Sequence, residues 1–154
     1  MEKFNCSAYD VAGSIEDIIK SGATVPVYIS GNSMNPFLVS RRDIVYLKSF
    51  CDSDLKKGKI LLFRRNDGQL ILHRLHSLLP DGRLQVVGDG QTVCETIDKA
   101  QVIAVVSEIE RKGKRRSADS LGWKTVSCLW RMLIPVRSLM MRVWRKCRRI
   151  KNKI

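Results

Sequence analysis

Paired cysteines and long apolar runs are both missing from this 154-residue sequence. Its five cysteines are scattered without a CxxC pair, which argues against a zinc knuckle and a disulfide framework and is typical of thiols in a reducing compartment. The N-terminal residues have no apolar stretch long enough for a signal peptide. The longest uncharged run, residues 21–40, is interrupted by glycine and proline, so no spanning helix is predicted. We expect a cytoplasmic protein without metal or cofactor.

Acidic residues are almost absent from the last part of the chain. Residues 111–154 hold 15 Lys and Arg against Asp119 alone, a net charge of +14, whereas residues 1–110 hold 13 against 14, a net charge of −1. The formal net charge of +13 therefore belongs to the tail, and nucleic-acid binding would have to depend on that segment. The length leaves room for one domain of about 100 to 150 residues plus an appendage.

Short alternating and β-branched runs fill the region before the tail. They predict six strands, in residues 23–30, 43–50, 58–65, 69–79, 82–89 and 100–111. The sequences NDG and PDG predict hairpin turns, because glycine accepts a positive φ. Ahead of the strands, SIEDIIK predicts a short helix from Ser14 to Lys20. The expected fold is mainly β: residues 1–110 form a coiled antiparallel β domain with a short N-terminal helix.

Two further segments follow this domain. Residues 111–120, RKGKRRSADS, are charged and small and predict a linker. Residues 121–154 place Trp123, Trp130 and Trp144 among apolar positions at helical spacing with arginines between them, which predicts a basic amphipathic helix interrupted by a proline. Such a helix suits an anionic membrane surface, at the inner face of the cell membrane, or a partner protein. Packing on its own domain and, less favoured, nucleic-acid binding are the alternatives.

A candidate nucleophile stands on the turn GNSMNPFL, which directly follows the strand-like run VPVYIS. A sharp turn after a strand exposes a serine and leaves its backbone N–H free for a developing oxyanion, and Ser33 is the serine so placed. Asparagine, serine and proline are also ordinary turn formers, so the turn alone favours a structural role.

Histidine is scarce, with only His73 and His76 in the chain. Strand alternation turns the two to opposite faces, so they form a poor metal pair, whereas His73 alone can act as a general base. Asp89, between the glycines of VVGDG, can orient an imidazole as the third member of a triad. Each also has a structural explanation, as a histidine packed in a sheet and an aspartate in a turn.

Taken in order, these residues resemble a known family. GNSMNP, then His73-Arg74, then Gly88-Asp89 is similar to the GxSMxP, (K/H)R and GD motifs of type I signal peptidases and the self-cleaving LexA-like repressors. The resemblance covers about residues 24–109 and implies a coiled β fold and a serine peptidase. It assigns Ser33 as the nucleophile, His73 as the base and Asp89 as the aspartate of the GD motif in the histidine-using branch. It also implies substrate contacts around the nucleophile, from Gly31, Asn32, Met34 and Pro36.

The sequence departs from the family pattern at several points. Histidine replaces the lysine base of bacterial leader peptidases, as in the histidine-using branch. Gly31 offers no hydroxyl to supplement the oxyanion hole. Two family GD pairs are replaced, by Arg42-Asp43 and Gly58-Lys59. No N-terminal membrane anchor is expected ahead of the first strand, unlike in the signal peptidases.

The resemblance leads to a specific functional expectation. A small Ser-His-Asp endopeptidase would cleave a leader or signal-like peptide after small residues, with the substrate adding as a strand along VPVYIS. The alternative is a catalytically inactive peptide- or membrane-binding module on the same fold, and the oligomeric state stays open.

Overall fold

One eight-stranded sheet forms the frame of the protein in its computed structural model, which describes residues 8–134, 136–140 and 142–143. The strands are β1 (Val25–Tyr28), β2 (Asp43–Lys48), β3 (Ile60–Arg64), β4 (Leu70–Leu78), β5 (Leu84–Val87), β6 (Glu95–Ile97), β7 (Val102–Arg111) and β8 (Lys114–Ser117). Helix α1 (Ala8–Lys20) precedes the sheet, helix α2 (Leu121–Met132) follows it, and short 3-10 turns lie at Asp52–Asp54 and Lys99–Gln101. The predicted mainly-β class is confirmed.

The strand order is β1-β2-β7-β3-β4-β5-β6, with β8 also paired to β7 and every pairing antiparallel. β1 ends the order and pairs with β2 alone among the described strands, so its other edge is unpaired just before the turn at residues 31–38. Both predicted hairpins form, and Gly68 and Gly82 take φ of +85° and +84° in them. Helix α1 begins at Ala8, ahead of the predicted cap at Ser14.

Strand alternation divides the buried apolar side chains into two clusters. The first includes Ile60 and Leu62 of β3 and receives Ile19 from α1. The second includes Leu61 and Phe63 of the same strand. Because successive side chains point to opposite faces, the unbroken apolar run ILLF supplies both clusters at once. The sheet therefore has an apolar core on each face.

The segment expected as a linker is part of the sheet. Residues 114–117 form β8, and Lys112 and Gly113 make the reversal from β7 with φ of +52° and +72°. Arg115 lies opposite Glu110, pairs with Glu108 and stacks over the Tyr46 ring. Composition alone indicated a linker because this strand is exposed along its whole length and carries charges that its cross-strand neighbours balance. The sheet therefore continues past the predicted boundary at residue 110.

The tail packs on the sheet domain through aromatic side chains. Trp123 and Trp130 of α2 both contact the Phe37 ring edge-on, at centroid distances of 5.5 and 5.7 Å. Residues 136–140 and 142–143 are also helical, whereas the predicted positions from Trp144 onward lie outside the described residues. Within the described part of the chain, no helix is both long and apolar enough to cross a membrane.

Candidate active site

The turn that carries the candidate nucleophile is fixed by its own side chains. Gly31 opens it with φ of +80°, a conformation that strains any residue with a Cβ, which explains the glycine at this position. The Asn35 side-chain amide donates to Asn32 Oδ1 at 3.0 Å, and the Asn35 N–H donates to the Asn32 carbonyl at 3.1 Å. The asparagines of GNSMNP therefore form the internal bracing of the turn.

Ser33 lies half-buried on this turn, beside a cavity of about 380 Å³. Neither its hydroxyl nor its N–H makes a hydrogen bond to any residue that the structure describes. Of the predicted substrate contacts, Gly31, Asn32 and Met34 line the same cavity, although Met34 is only 3% exposed and packs mainly in the core. Pro36 lines a different groove, on the side of α2. A free backbone N–H can donate to a developing oxyanion, and a neighbouring cavity can receive a substrate side chain.

The loop after β5 holds Ser33 in place. The Gly90 N–H donates to the Ser33 carbonyl at 2.7 Å. A Cβ built on Gly88 would lie 2.5 Å from that same carbonyl oxygen, so only glycine lets the loop approach this closely. The predicted Gly88-Asp89 motif and the predicted nucleophile are thus in direct contact through their backbones.

Asp89 itself is engaged by an arginine and not by a histidine. Its carboxylate accepts two hydrogen bonds from Arg74, from Nε at 2.8 Å and from Nη2 at 2.6 Å, and both side chains are about 1% exposed. Arg74 also donates to the Gly58 carbonyl at 2.8 Å. No hydrogen bond joins Asp89 to His73 in the described structure, because Arg74 and His73 are neighbours on β4 and project to opposite faces. The expected imidazole-to-Asp89 contact is not seen.

His73 is a buried imidazole. It is 2% exposed and contacts the Phe63 ring edge-on at 5.9 Å, and its buried Nδ1 has no hydrogen-bond partner among the residues that the structure describes. Burial lowers the pKa of His73 below its ordinary 6.5, and the nearby Glu95 carboxylate opposes this effect. No hydrogen bond between Ser33 and His73 is present among the described contacts. A neutral imidazole is the protonation state that a general base requires.

Glu95 is the carboxylate nearest to this imidazole, and sequence reasoning missed it. Its Oε2 lies 4.0 Å from His73 Nδ1, and Arg65 holds both of its oxygens at 2.6 Å. Glu95 begins β6, in a stretch predicted as a turn region. Val86 pairs with Glu95 on one side and with Leu75 on the other. Directly paired residues share a face of the sheet, and Leu75 lies on the same face of β4 as His73, so Glu95 lies on the His73 face. Strand pairing brings Glu95 close to His73, and this pairing could not be predicted from the sequence.

The tail also reaches the site. Trp130 Nε1 donates to the Asp89 carbonyl at 2.7 Å. Arg137 is fully buried and donates to the carbonyls of Gly88 at 3.3 Å and Gln91 at 3.0 Å. These contacts tie the helical tail to the loop that holds Ser33.

His76 is surrounded by different charges from those around His73, because it lies near arginines of the helical tail. Burial lowers the pKa of His76, and the positive charges of Arg131, Lys57 and Arg137 lower it further. Within the part of the chain that the structure describes, no three potential metal ligands cluster together.

No family model matches the chain, and a search of curated proteins gives no match either.

Proposed function

We propose that this protein is a serine peptidase of the signal-peptidase-like kind, with Ser33 as nucleophile and His73 as general base. One observation carries the proposal: the Gly90 N–H donates to the Ser33 carbonyl, and Asp89 of the same loop bonds Arg74, the residue that follows the buried His73 on β4. These contacts join the Ser33 turn to the Gly88-Asp89 motif and to Arg74 of the His73-Arg74 motif, whose His73 projects to the other face of β4.

In the proposed mechanism, His73 accepts the proton of the Ser33 hydroxyl while the serine oxygen attacks the scissile carbonyl carbon. The free N–H of Ser33 donates to the oxygen that becomes negative. The charge of Glu95, and more weakly that of Asp89, favours the imidazolium that forms, while burial and the positive charge of Arg65 oppose it. His73 then returns the proton to the leaving amine as the C–N bond breaks and an acyl ester forms on Ser33. A water molecule, deprotonated by His73, attacks this ester, and the released serine oxygen takes the proton back from His73. Asp89 acts mainly as a positioning residue, because its carboxylate is committed to Arg74.

The surroundings of Ser33 suit an extended peptide. One edge of β1 is unpaired among the described strands, and β1 leads into the turn, so a substrate strand can add beside it. The cavity next to Ser33 is walled largely by aliphatic side chains and takes one substrate side chain. We propose a leader or signal-like peptide cleaved after a small residue, as the resemblance implies.

Incubation with a mixed-sequence peptide library, followed by mass spectrometry, tests this function. The wild-type protein should generate new peptide termini, and Ser33→Ala should abolish them. Ser53→Ala is the matched control, because Ser53 is exposed, lies in the Asp52–Asp54 turn and does not line this cavity, so it should leave cleavage unchanged. If no cleavage occurs while peptides still bind to the wild type and to Ser33→Ala equally well, the protein is an inactive peptide-binding module.

A further inference from the structure

Helix α2 is apolar on two faces. Its inner face packs Trp123 and Trp130 against the sheet domain. Its outer face shows Leu121, Leu129 and Met132 to solvent, with 84%, 58% and 73% of each exposed. At 100° per residue these three fall within about a quarter of the helix circumference, so they form a stripe and are not scattered single residues. The inner face is explained by packing on the sheet domain, whereas the outer apolar face is left exposed to solvent.

Helical residues after α2 also expose apolar side chains. They are Val136, Leu139, Met140 and Val143. The stripe on α2 is exposed apolar surface of the kind that marks a binding face.

A groove adjoins the stripe, between α2 and the β7–β8 hairpin. It has a volume of about 1070 Å³, with an apolar floor that includes Phe37, Trp123 and Val126. Val126 is also 52% exposed, so it joins the groove to the outer face of α2. The groove rim is basic, and Lys112, Lys114 and Arg116 are its exposed cations.

The charged side chains that line the groove are basic. Among the described residues of its lining, none is acidic. Asp119, the one acid of residues 111–154, accepts hydrogen bonds from Lys59 at 2.7 and 2.6 Å. Exposed leucine and methionine beside uncompensated lysine and arginine match the chemistry of a lipid bilayer with anionic headgroups.

We propose that this basic apolar face, formed by Leu121, Val126, Leu129 and Met132 with Lys112, Lys114 and Arg116, docks on an anionic membrane surface. The apolar stripe enters the acyl boundary and the cations contact lipid phosphates. A second copy of the chain fits poorly, because each copy brings a segment of net charge +14. Nucleic acid would leave the apolar stripe uncovered.

Docking in this way would bring the Ser33 turn to the membrane. Pro36 and Phe37 line the groove, while Ser33 lines the cavity on the other side of the same turn. The membrane inference is independent of the peptidase proposal, because lipid binding is measured without any cleavage.

Flotation of the full-length protein with lipid vesicles tests the proposal. Vesicles of phosphatidylglycerol and phosphatidylcholine in equal parts should bind the wild type, and pure phosphatidylcholine should bind it far less. Raising the salt from about 0.1 to 1 M, which shortens the Debye length from about 10 to 3 Å, should weaken the binding. Removing two cations in Lys114→Gln/Arg116→Gln should weaken it about 30-fold, at about fivefold for each cation.

The apolar stripe is tested by Leu129→Asn/Met132→Gln, which keeps the charge and should weaken vesicle binding at least about tenfold. Lys20→Gln/Arg41→Gln is the matched charge control, since both side chains are exposed and lie on other elements. Leu78→Asn is the apolar control, on the β4–β5 hairpin. Both controls should bind as the wild type does. Absence of vesicle binding, equal binding to neutral vesicles, or equal losses in the controls would each overturn the proposal, as would binding to polyglutamate but not to lipid.

Discussion

Asp89→Asn is the change that separates a positioning role of Asp89 from a direct triad role. The carboxylate accepts two short hydrogen bonds from Arg74, and both side chains are withdrawn from solvent. Asparagine has nearly the same shape but no charge and only one acceptor oxygen, so the buried Arg74 guanidinium loses its counter-charge.

The expected loss of stability is large. Removing one partner of a buried ion pair costs about 3 to 5 kcal/mol, and the lower end applies because the Arg74 bond to the Gly58 carbonyl remains. For a protein of this length, about 3 kcal/mol corresponds to a fall in Tm of about 6 to 12 °C. The double variant Arg74→Met/Asp89→Asn should be more stable than Asp89→Asn alone, because no charge is then left buried and unpaired.

Urea unfolding of each variant measures these differences, as a shift in midpoint at an unchanged slope. Asp81→Asn is the matched control, because Asp81 pairs with Arg83 on an exposed hairpin and its loss should change stability little. If Asp89→Asn unfolds like the wild type while activity is lost, the carboxylate serves the imidazole directly and the positioning account is wrong.

Three further predictions concern the same site and its support. Gly88→Ala should lower both stability and activity, because its methyl group would lie 2.5 Å from the Ser33 carbonyl oxygen. Gly122→Ala is the control: nothing lies within 4 Å of its methyl group, and a helical alanine should raise the free energy of unfolding by about 0.5 to 1 kcal/mol in the urea assay. Cleavage rate should rise with pH through a single group below pH 6.5, because burial lowers the pKa of His73 and the base must be neutral; a rate still climbing near about pH 9 would contradict this assignment. Burial raises the pKa of Asp43, but hydrogen bonds from Arg42, Arg111 and the Val39 N–H outweigh it and lower that pKa below 3.8. The stability that these bonds contribute is full above that pH and is lost as the pH falls through the lowered pKa. Asp43→Asn should therefore cost stability at neutral pH in the urea assay, with the difference closing in acid.

Much of the sheet could be predicted because its strands are apolar enough to show their alternation. The run ILLF and the strand of His73 each lie where the sequence placed them, and both feed the two cores. β6 and β8 could not be predicted in the same way. β6 is three residues long, and β8 is fully exposed and stabilised by charges on β7 that lie elsewhere in the sequence.

The candidate site was predictable only as far as its local pieces. The Ser33 turn and the glycines around Asp89 are short-range features with their own turn chemistry. The sequence does not tell whether His73 or Arg74 contacts Asp89, because the two are adjacent on β4 and point to opposite faces. The tertiary packing of the Asp89 loop decides that the contact is made by Arg74. The placement of Glu95 beside His73 depends on two strand pairings, so no local pattern could indicate it.

The structure of the tail was also predictable only in part. Helical spacing of Trp123 and Trp130 predicted an apolar face, and that face does pack. The sequence could not tell that the packed face would be the aromatic one. It also could not show that Trp130 would donate to the Asp89 carbonyl, because that partner lies 41 residues away in the chain.

Labelling with a fluorophosphonate probe, mapped by mass spectrometry, tests the central claim most directly. The probe reacts with a serine whose hydroxyl is activated by a base. The account predicts an adduct on Ser33 in the wild type and in His76→Gln, and its loss in His73→Gln although that variant remains folded. An unlabelled Ser33 in the wild type, or a Ser33 labelled as fast in His73→Gln as in the wild type, would contradict the account.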